Sequence, residues 1–264
     1  MRFDVITLFP ELFAPFVTSG INRRAFETGA IELKLWHLRD FADGTYRRVD
    51  DRPFGGGPGM VMLAEPLEKC LQAIRQDRLN LEASENAVPV VLFSPIGQAL
   101  NHAGVEAWSQ SAGAILICGR YEGLDQRFID AHVTAQISLG DFVLSGGEIA
   151  AIALLDAVAR LQPGVLNDQG SHQMDSFNPA LDGLLDCGHY TRPEVWGGLT
   201  VPPVLMSGHH AEIAIWRRQQ SLLLTQLHRP DLIDAARFQG KLNAKDENFL
   251  SHLNAPKQAN IQTD

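Results

Sequence analysis

Apolar and polar residues follow one pattern in the first part of the chain and another in the second. Over about the first 160 residues, short apolar runs typical of buried strands alternate with segments in which apolar residues recur at helical spacing. The predicted strands are 3–9, 31–36, 88–93 (ending at Ser94-Pro95), 114–118 and 133–139, and the predicted helices are 65–78, 103–111 and 148–161. This alternation predicts an α/β fold with a mainly parallel sheet.

The pattern changes after Gly164. Residues 165–206 are rich in Gly, Pro, Asp and His and show little periodicity, whereas 207–228 is strongly helical. Ser207 is the predicted N-cap of that helix, Pro230 its stop, and Ile213, Leu223 and Leu227 its buried stripe. We therefore predict an α/β domain at 1–164, a linker at 165–178, a small C-terminal helical domain at 179–250 and a disordered tail at 251–264.

Composition narrows the classes of protein to consider. The chain has 264 residues, 45% of them hydrophobic, and a net charge of 22 − 31 = −9, which argues against a general polyanion binder but leaves room for a local basic face. Three scattered cysteines without a CxxC pair indicate free thiols. We expect no zinc site, since Cys187 and His189 match no usual ligand spacing. No segment is as apolar as a membrane span or a signal peptide, so we expect a cytoplasmic protein.

Glycine-rich loops follow several of the predicted strands, at 55–59, 119–123, 140 and 146–147. Ligands of open α/β sheets bind beyond the carboxyl ends of the strands, where glycine allows a close approach of the backbone. The tract GGGPGM fits neither GxGxxG nor GxxxxGK[ST], and no GxSxG elbow occurs. The loops thus predict a ligand site of another kind, the alternative being ordinary turns.

Charged side chains crowd the same loops, including Asp50, Arg52, Arg120 and Glu148. The plainer interpretation of each carboxylate is a surface salt bridge. Asp175 differs, because it lies in an irregular segment from which a carboxylate can be delivered into a site. In the last long helix, Arg217 and Arg218 form either a solvated basic face or a phosphate-contacting surface.

Seven motifs occur in order: LFPELF near the start, VDDRPFGGGPGM at 49–60, ICGRYEGLDQR at 117–127, SLGDFVLSGGE at 138–148, DSF at 175–177, LLDCGHYTRPE at 184–194 and VPPVLMSGHHAEI at 201–213. Together they resemble the bacterial tRNA (guanine-N1)-methyltransferases, the TrmD family of the SPOUT class, over residues 1 to about 235. The resemblance implies a parallel sheet containing a deep trefoil knot, a rare exception to unthreaded topology. It also implies a cytoplasmic homodimer with its active site at the subunit interface.

The resemblance further implies S-adenosylmethionine as the methyl donor and a set of residues that hold it. By similarity these are Leu92, Phe93, Ser94, Pro95, Gly119, Tyr121, Glu122, Ser138, Leu139, Gly140, Leu144, Gly146 and Gly147. Leu92 stands where the family often has an aromatic residue, and His209 where it usually has Asn or Asp. We expect these departures to affect individual contacts.

The implied reaction is methylation of N1 of guanosine at tRNA position 37, next to the anticodon, which maintains the reading frame. Asp175 is the expected general base, and Arg160 the expected cation for charge on O6, a role that Mg²⁺ could share. The alternative for Arg160 is a helix C-terminal cation favoured by the helix dipole. The residues expected to contact tRNA are Arg23, Arg24, Asp50, Arg52, Ser207, His210, Arg217 and Arg218.

Two other functions stay open at this point. A different SPOUT methyltransferase would act on a ribose 2′-hydroxyl or on ribosomal RNA and would need no deprotonation of guanine N1. A non-catalytic RNA-binding protein could keep the fold, although such a protein is expected to have lost part of the set formed by Asp175, Arg160 and the glycine loops.

Overall fold

A computed structural model describes residues 1–80, 88–166 and 171–254 of the chain. The chain divides into two compact units, Met1–Asn167 and Asp168–Asp264. The sequence predicted the first domain to end at 164, and part of the predicted linker and most of the predicted tail lie outside the described residues. None of the helices in the described ranges has the length and apolar character needed to cross a membrane.

The first unit is built on a five-stranded sheet in the order β2-β1-β6-β5-β7, in which every neighbouring pair is parallel. The strands are β1 (Arg2–Thr7), β2 (Glu32–His37), β5 (Val90–Ala99), β6 (Gly113–Ile117) and β7 (Ala135–Ser138); two further short strands, β3 (Asp50–Asp51) and β4 (Val61–Met62), form an antiparallel pair. The helices are α1 (Ala14–Thr18), α2 (Asn22–Glu27), α3 (Ala64–Asn80), α4 (His102–Ser109), α5 (Gln126–His132) and α6 (Glu148–Arg160). The predicted α/β class with a parallel sheet is therefore confirmed.

Both faces of the sheet are buried, as the uninterrupted apolar runs predicted. Along β6, Ala114 and Leu116 pack into a cluster with α6, whereas Ile115 and Ile117 pack into a second cluster with α3. This alternation follows from the two-residue period of a strand. The sheet is thus covered by helices on its two sides, and its strand ends are the places left for a site.

One predicted strand boundary is wrong. The sequence predicted a strand that ends at Ser94-Pro95, but β5 continues to Ala99. Phe93 and Gln98 both pair with Ile137, so the residues between them form an irregularity within the strand. Proline, which lacks an amide hydrogen, interrupts the ladder here without ending it.

The second unit is mainly helical in its described part. It contains α7 (Pro203–Met206), α8 (His210–His228), α9 (Pro230–Phe238) and α10 (Ala244–Asn254), together with a hairpin of β8 (Val195–Trp196) and β9 (Leu199–Thr200). Its small core includes Leu184, Leu222, Ile233 and Leu250. Leu184 precedes the helices by many residues, so the irregular segment before them is packed into the same core.

Two predictions about α8 are wrong. Ser207 does not cap it: the helix begins at His210, and the Ser207 hydroxyl instead donates to the carbonyl of Val204 at 2.8 Å. The buried face is also different, because Ser221, Leu222 and Thr225 are buried while Leu227 is 65% exposed. Small polar residues occupy this face since their hydroxyl groups bond backbone carbonyls of the same unit.

Candidate active site

A cavity of about 400 Å³ lies beyond the carboxyl ends of β6 and β7 and beside the irregular middle of β5, at residues 92–96. It is lined by this part of β5, by the ends of β6 and β7 with the segments that follow them, and by the first turn of α6. The three strands are adjacent in the sheet. This is the position at which open parallel sheets bind ligands, and the volume lies within the range of small-molecule sites. The cavity is therefore the candidate site of the first unit.

The thirteen residues that the sequence assigned to a cofactor all line this cavity. They come from three separate stretches of the chain: Leu92, Phe93, Ser94 and Pro95; Gly119, Tyr121 and Glu122; and Ser138, Leu139, Gly140, Leu144, Gly146 and Gly147. Their roles as ligand contacts stay predictions. The close contacts and hydrogen bonds of the cavity wall nevertheless explain why glycine is required at some of these positions.

Gly147 and Gly146 illustrate this requirement. A Cβ atom at Gly147 would lie 2.7 Å from the Cα atom of Cys118, and one at Gly146 would lie 2.2 Å from Nε of Arg120. The amide of Gly147 donates to the carbonyl of Gly119 at 2.9 Å, which joins two of the cavity-lining loops directly. Any larger residue would separate these loops.

Sequence reasoning missed the role of Arg120 and Glu148, for which it preferred surface salt bridges. Glu148 is 1% exposed, and its Oε2 lies 2.8 Å from Nη2 of Arg120. Its Oε1 accepts a hydrogen bond from the hydroxyl of Thr7 at 2.9 Å. Glu148 directly follows a glycine pair and begins an otherwise apolar helix. A charged residue in that position was the sequence signal that could have indicated a buried role.

The β3–β4 pair is joined to the same cavity wall. The amide of Glu122 donates to the carbonyl of Met60 at 3.0 Å, and that of Met62 to the carbonyl of Gly123 at 2.9 Å. Asp50 pairs with Met62 across the two strands. The exposed loop that carries Arg52 is therefore fixed to a segment that lines the cavity.

The expected catalytic residues belong to different units. Arg160 is the last residue of α6 and is partly buried. Asp175 follows a short 3-10 helix, Ser171–Met174, and its amide donates to the carbonyl of His172 at 3.2 Å. The two residues remain predictions from the family resemblance.

The residues expected to contact tRNA are mostly exposed. Arg23, Arg24 and Arg52 are exposed in the first unit, as are Ser207, His210 and Arg217 in the second, while Asp50 and Arg218 are partly buried. Arg218 is engaged inside its unit, because its Nη2 lies 2.9 Å from Asp182 and 2.8 Å from Asp246. Arg217, which neighbours it, is the arginine of this pair that faces solvent.

The three cysteines are buried and unpaired. Burial raises the pKa of Cys118 well above its usual value, with the Glu148 charge adding to the shift and Arg120 opposing it. Burial is likewise the main cause of the raised pKa of Cys70 and of Cys187. No group of three or more potential metal ligands is found within 1–80, 88–166 and 171–254.

Comparison with known proteins gives one consistent result. The family model described as "tRNA (Guanine-1)-methyltransferase TrmD" matches residues 1–235. The chain is 72% identical over 253 residues to a protein of Polaromonas sp., covering 96% of this chain and 97% of that protein. It is 68% identical over 254 residues to one of Paracidovorax citrulli (96% and 99%) and 70% identical over 251 residues to one of Albidiferax ferrireducens (95% and 99%). All three relatives are described as "tRNA (guanine-N(1)-)-methyltransferase".

Proposed function

The chain belongs to the tRNA (guanine-N1)-methyltransferase family, and we propose that it methylates N1 of guanosine at tRNA position 37 with S-adenosylmethionine as donor. The observation that carries this proposal is the cavity formed at β5, β6 and β7, which is lined by all thirteen residues assigned to the cofactor. These residues are distant in sequence and share a wall only after folding. The proposal therefore joins a family assignment to a cavity of suitable size.

The cavity suits the proposed cofactor chemically. Apolar side chains such as Leu92, Phe93 and Pro95 provide surfaces for an adenine ring, and Glu122 adds a carboxylate that favours a ligand with a positively charged sulfonium. When bound, S-adenosylmethionine supplies an electrophilic methyl group. The residues of the three loops bind and orient it in the proposed mechanism.

Asp175 is the proposed general base. Guanine N1 carries a proton at neutral pH and is a poor nucleophile until that proton leaves. A positioned carboxylate that accepts this proton contributes typically about 10²- to 10⁴-fold to a rate. Support comes from the DSF motif and from the place of Asp175 at a turn after a 3-10 helix.

Arg160 is proposed to stabilise the negative charge that develops on O6 when N1 loses its proton. Mg²⁺ could share this role. Support for Arg160 comes from the family resemblance, since it is the last residue of α6 and lies about 18 Å along the helix from the first turn, which lines the cavity. We propose in addition that the enzyme is a cytoplasmic homodimer with its active site at the subunit interface, that its sheet unit is knotted, and that its helical unit binds tRNA.

The test is methyl transfer from labelled S-adenosylmethionine to two unmodified transcripts, one with guanosine and one with adenosine at position 37. We expect 1-methylguanosine in the first transcript and no product in the second. Methylation of a ribose hydroxyl, or of ribosomal RNA only, would assign the chain to a different methyltransferase activity. Binding of RNA without transfer would indicate a non-catalytic protein.

The role of Asp175 is tested with Asp175→Asn in the same assay. We expect single-turnover transfer to fall by about 10²-fold or more while cofactor and tRNA binding persist. Asp234→Asn is the control, since that aspartate is exposed on α9 and forms a surface ion pair with Arg237. A wild-type rate for Asp175→Asn would refute the proposed base.

A further inference from the structure

A buried carboxylate connects three segments of the chain beside the cavity. Glu148, the first residue of α6, accepts a hydrogen bond from the hydroxyl of Thr7 at the end of β1. Its other oxygen lies 2.8 Å from Nη2 of Arg120, which follows β6 and lines the cavity. The sequence separation between Thr7 and Glu148 is 141 residues, so this connection exists only in the folded chain.

Arg120 in turn holds a second cavity-lining loop. Its Nη1 donates to the carbonyl of Ser145 at 3.2 Å, and its backbone forms an antiparallel bridge with Gly146. Its guanidinium carbon lies 4.4 Å from the ring centroid of Phe9. One arginine side chain thus contacts the loop at 144–147 and the segment after β1.

The attachment of Arg120 to Glu148 depends on charge. The 2.8 Å contact is an ion pair whose angles lie outside hydrogen-bond geometry, and Nε of Arg120 is buried without a hydrogen-bond partner in the described part of the chain. Because both groups are shielded from water, their attraction is screened little. A neutral side chain of the same volume at position 148 would therefore remove the ion pair that attaches Arg120 to α6, while the contacts of Arg120 with Ser145 and Phe9 could remain.

The residues next to Arg120 are those proposed to hold the cofactor. Gly119 precedes it and Tyr121 follows it, and Tyr121 has a φ of 60°, in the left-handed region that non-glycine residues rarely adopt. Such a conformation persists when its surroundings over-determine it. The contacts of Arg120 provide that constraint at the adjacent residue.

We propose that Glu148 is a positioning residue of the cofactor site, which holds Arg120 and through it keeps the loop at 119–123 in register with the loop at 144–147. This inference rests on the proposed function, because it requires that the cavity binds S-adenosylmethionine. Glu148 itself is too deeply buried to be a substrate contact. Its contribution is the pre-organisation of the two loops.

The test is calorimetric titration of the full-length chain with S-adenosylmethionine and S-adenosylhomocysteine, together with steady-state kinetics. Glu148→Gln keeps the side-chain volume and an acceptor for Thr7 but removes the charge. We expect its Kd for both ligands and its KM for S-adenosylmethionine to rise about tenfold or more, as the loss of a charged interaction implies, while KM for tRNA changes less than about twofold.

Asp4→Asn is the matched control. Asp4 is an equally buried carboxylate of the same unit, paired with Arg2 and Arg78, and none of these residues lines the cavity. We expect this variant to lose stability and to keep its affinity for both ligands, measured where all variants are folded. If Glu148→Gln also loses stability only, the proposed positioning role is overturned.

Two more variants keep the test decisive. Thr7→Val keeps the shape of the side chain but removes the hydroxyl, which donates to Glu148 and accepts from the amide of Phe9 at 3.0 Å. We expect roughly a threefold weaker cofactor affinity. This variant decides the question should Glu148→Gln fail to fold, since an unchanged affinity would then refute the proposal. Arg120→Gln combined with Glu148→Gln should be no worse than either single variant, because a coupled pair is lost only once. Absence of cofactor binding to the wild-type chain would instead refute the proposed function.

Discussion

Asp4 offers the sharpest test of how the sheet unit is held together. Its carboxylate is fully buried in β1 and accepts four hydrogen bonds. Arg2 Nη2 and Trp36 Nε1 donate to Oδ1 at 2.7 and 2.8 Å, and Arg2 Nε and Arg78 Nε donate to Oδ2 at 3.1 and 2.6 Å. One negative charge therefore satisfies two guanidinium groups whose side chains are themselves only 10% and 12% exposed.

The change Asp4→Asn keeps the shape and removes the charge. Each oxygen of the Asp4 carboxylate accepts two hydrogen bonds. In either orientation of the asparagine amide, its NH₂ group replaces one of these oxygens, so two hydrogen bonds are lost. Hydrogen bonds to charged groups contribute about 1.5–3 kcal/mol each, and breaking a buried ion pair costs about 3–5 kcal/mol. Because Arg2 retains Asp77 at 2.6 Å, we expect a loss near the lower limit, about 3 kcal/mol.

Urea unfolding of the full chain, followed by circular dichroism and by tryptophan fluorescence, measures this loss. A change of about 3 kcal/mol corresponds to roughly two orders of magnitude in the unfolding equilibrium and to about 6–12 °C in Tm. Asp77→Asn is the control, because this partly exposed carboxylate should contribute under about 1 kcal/mol. A loss below about 1 kcal/mol for Asp4→Asn would show that the guanidinium groups find other partners, and would refute the reasoning.

Three further predictions concern the glycine pair of the cavity wall and the Arg218–Asp246 ion pair of the helical unit. Gly147→Ala should weaken binding of S-adenosylhomocysteine and lower stability by about 1–3 kcal/mol, since its Cβ would overlap the backbone after β6. Calorimetric titration and thermal unfolding measure these two effects. The control is Gly188→Ala, which should change neither affinity nor stability because a Cβ there meets nothing within 4 Å. In urea unfolding, Arg218→Met should destabilise the helical unit by about 3 kcal/mol, because it leaves the buried Asp246 carboxylate without its cation. Arg217→Met should change stability by less than about 0.5 kcal/mol and make tRNA binding less salt-dependent. Burial opposes ionisation of Asp246, but the hydrogen bonds from Arg218 and from the amide of Asn243, together with the charge of Arg218, outweigh it and lower the pKa of Asp246. This pair therefore stabilises the folded state above the unfolded pKa of about 4 and is lost as pH falls through the lower folded value, so the urea midpoint of Asp246→Asn should depend less on pH in that range.

The strands and the long helix of the sheet unit could be predicted because buried elements require apolar residues at regular spacing, which is visible in the local sequence. Strand β6 was predicted at 114–118 and lies at Gly113–Ile117, and α6 was predicted at 148–161 and lies at Glu148–Arg160. Both segments are flanked by glycine or proline, which mark their ends. The predicted end of β5 was wrong because Pro95 interrupts the hydrogen-bond ladder without ending the strand. After the irregularity β5 pairs with β7 again, and this pairing is not visible in the local sequence pattern.

The sequence by itself determined the class of the fold, the family and the loops that form the cavity, because apolar periodicity and ordered motifs are local properties of the chain. Only the tertiary structure decided which charged side chains are buried and with which partners. Glu148 meets Arg120 and Thr7, and Asp4 meets Arg78, across sequence distances that no periodicity spans. The physical reason is that burial of a charge requires a partner brought by another element, so its role depends on the packing of the whole sheet rather than on its neighbours in the chain.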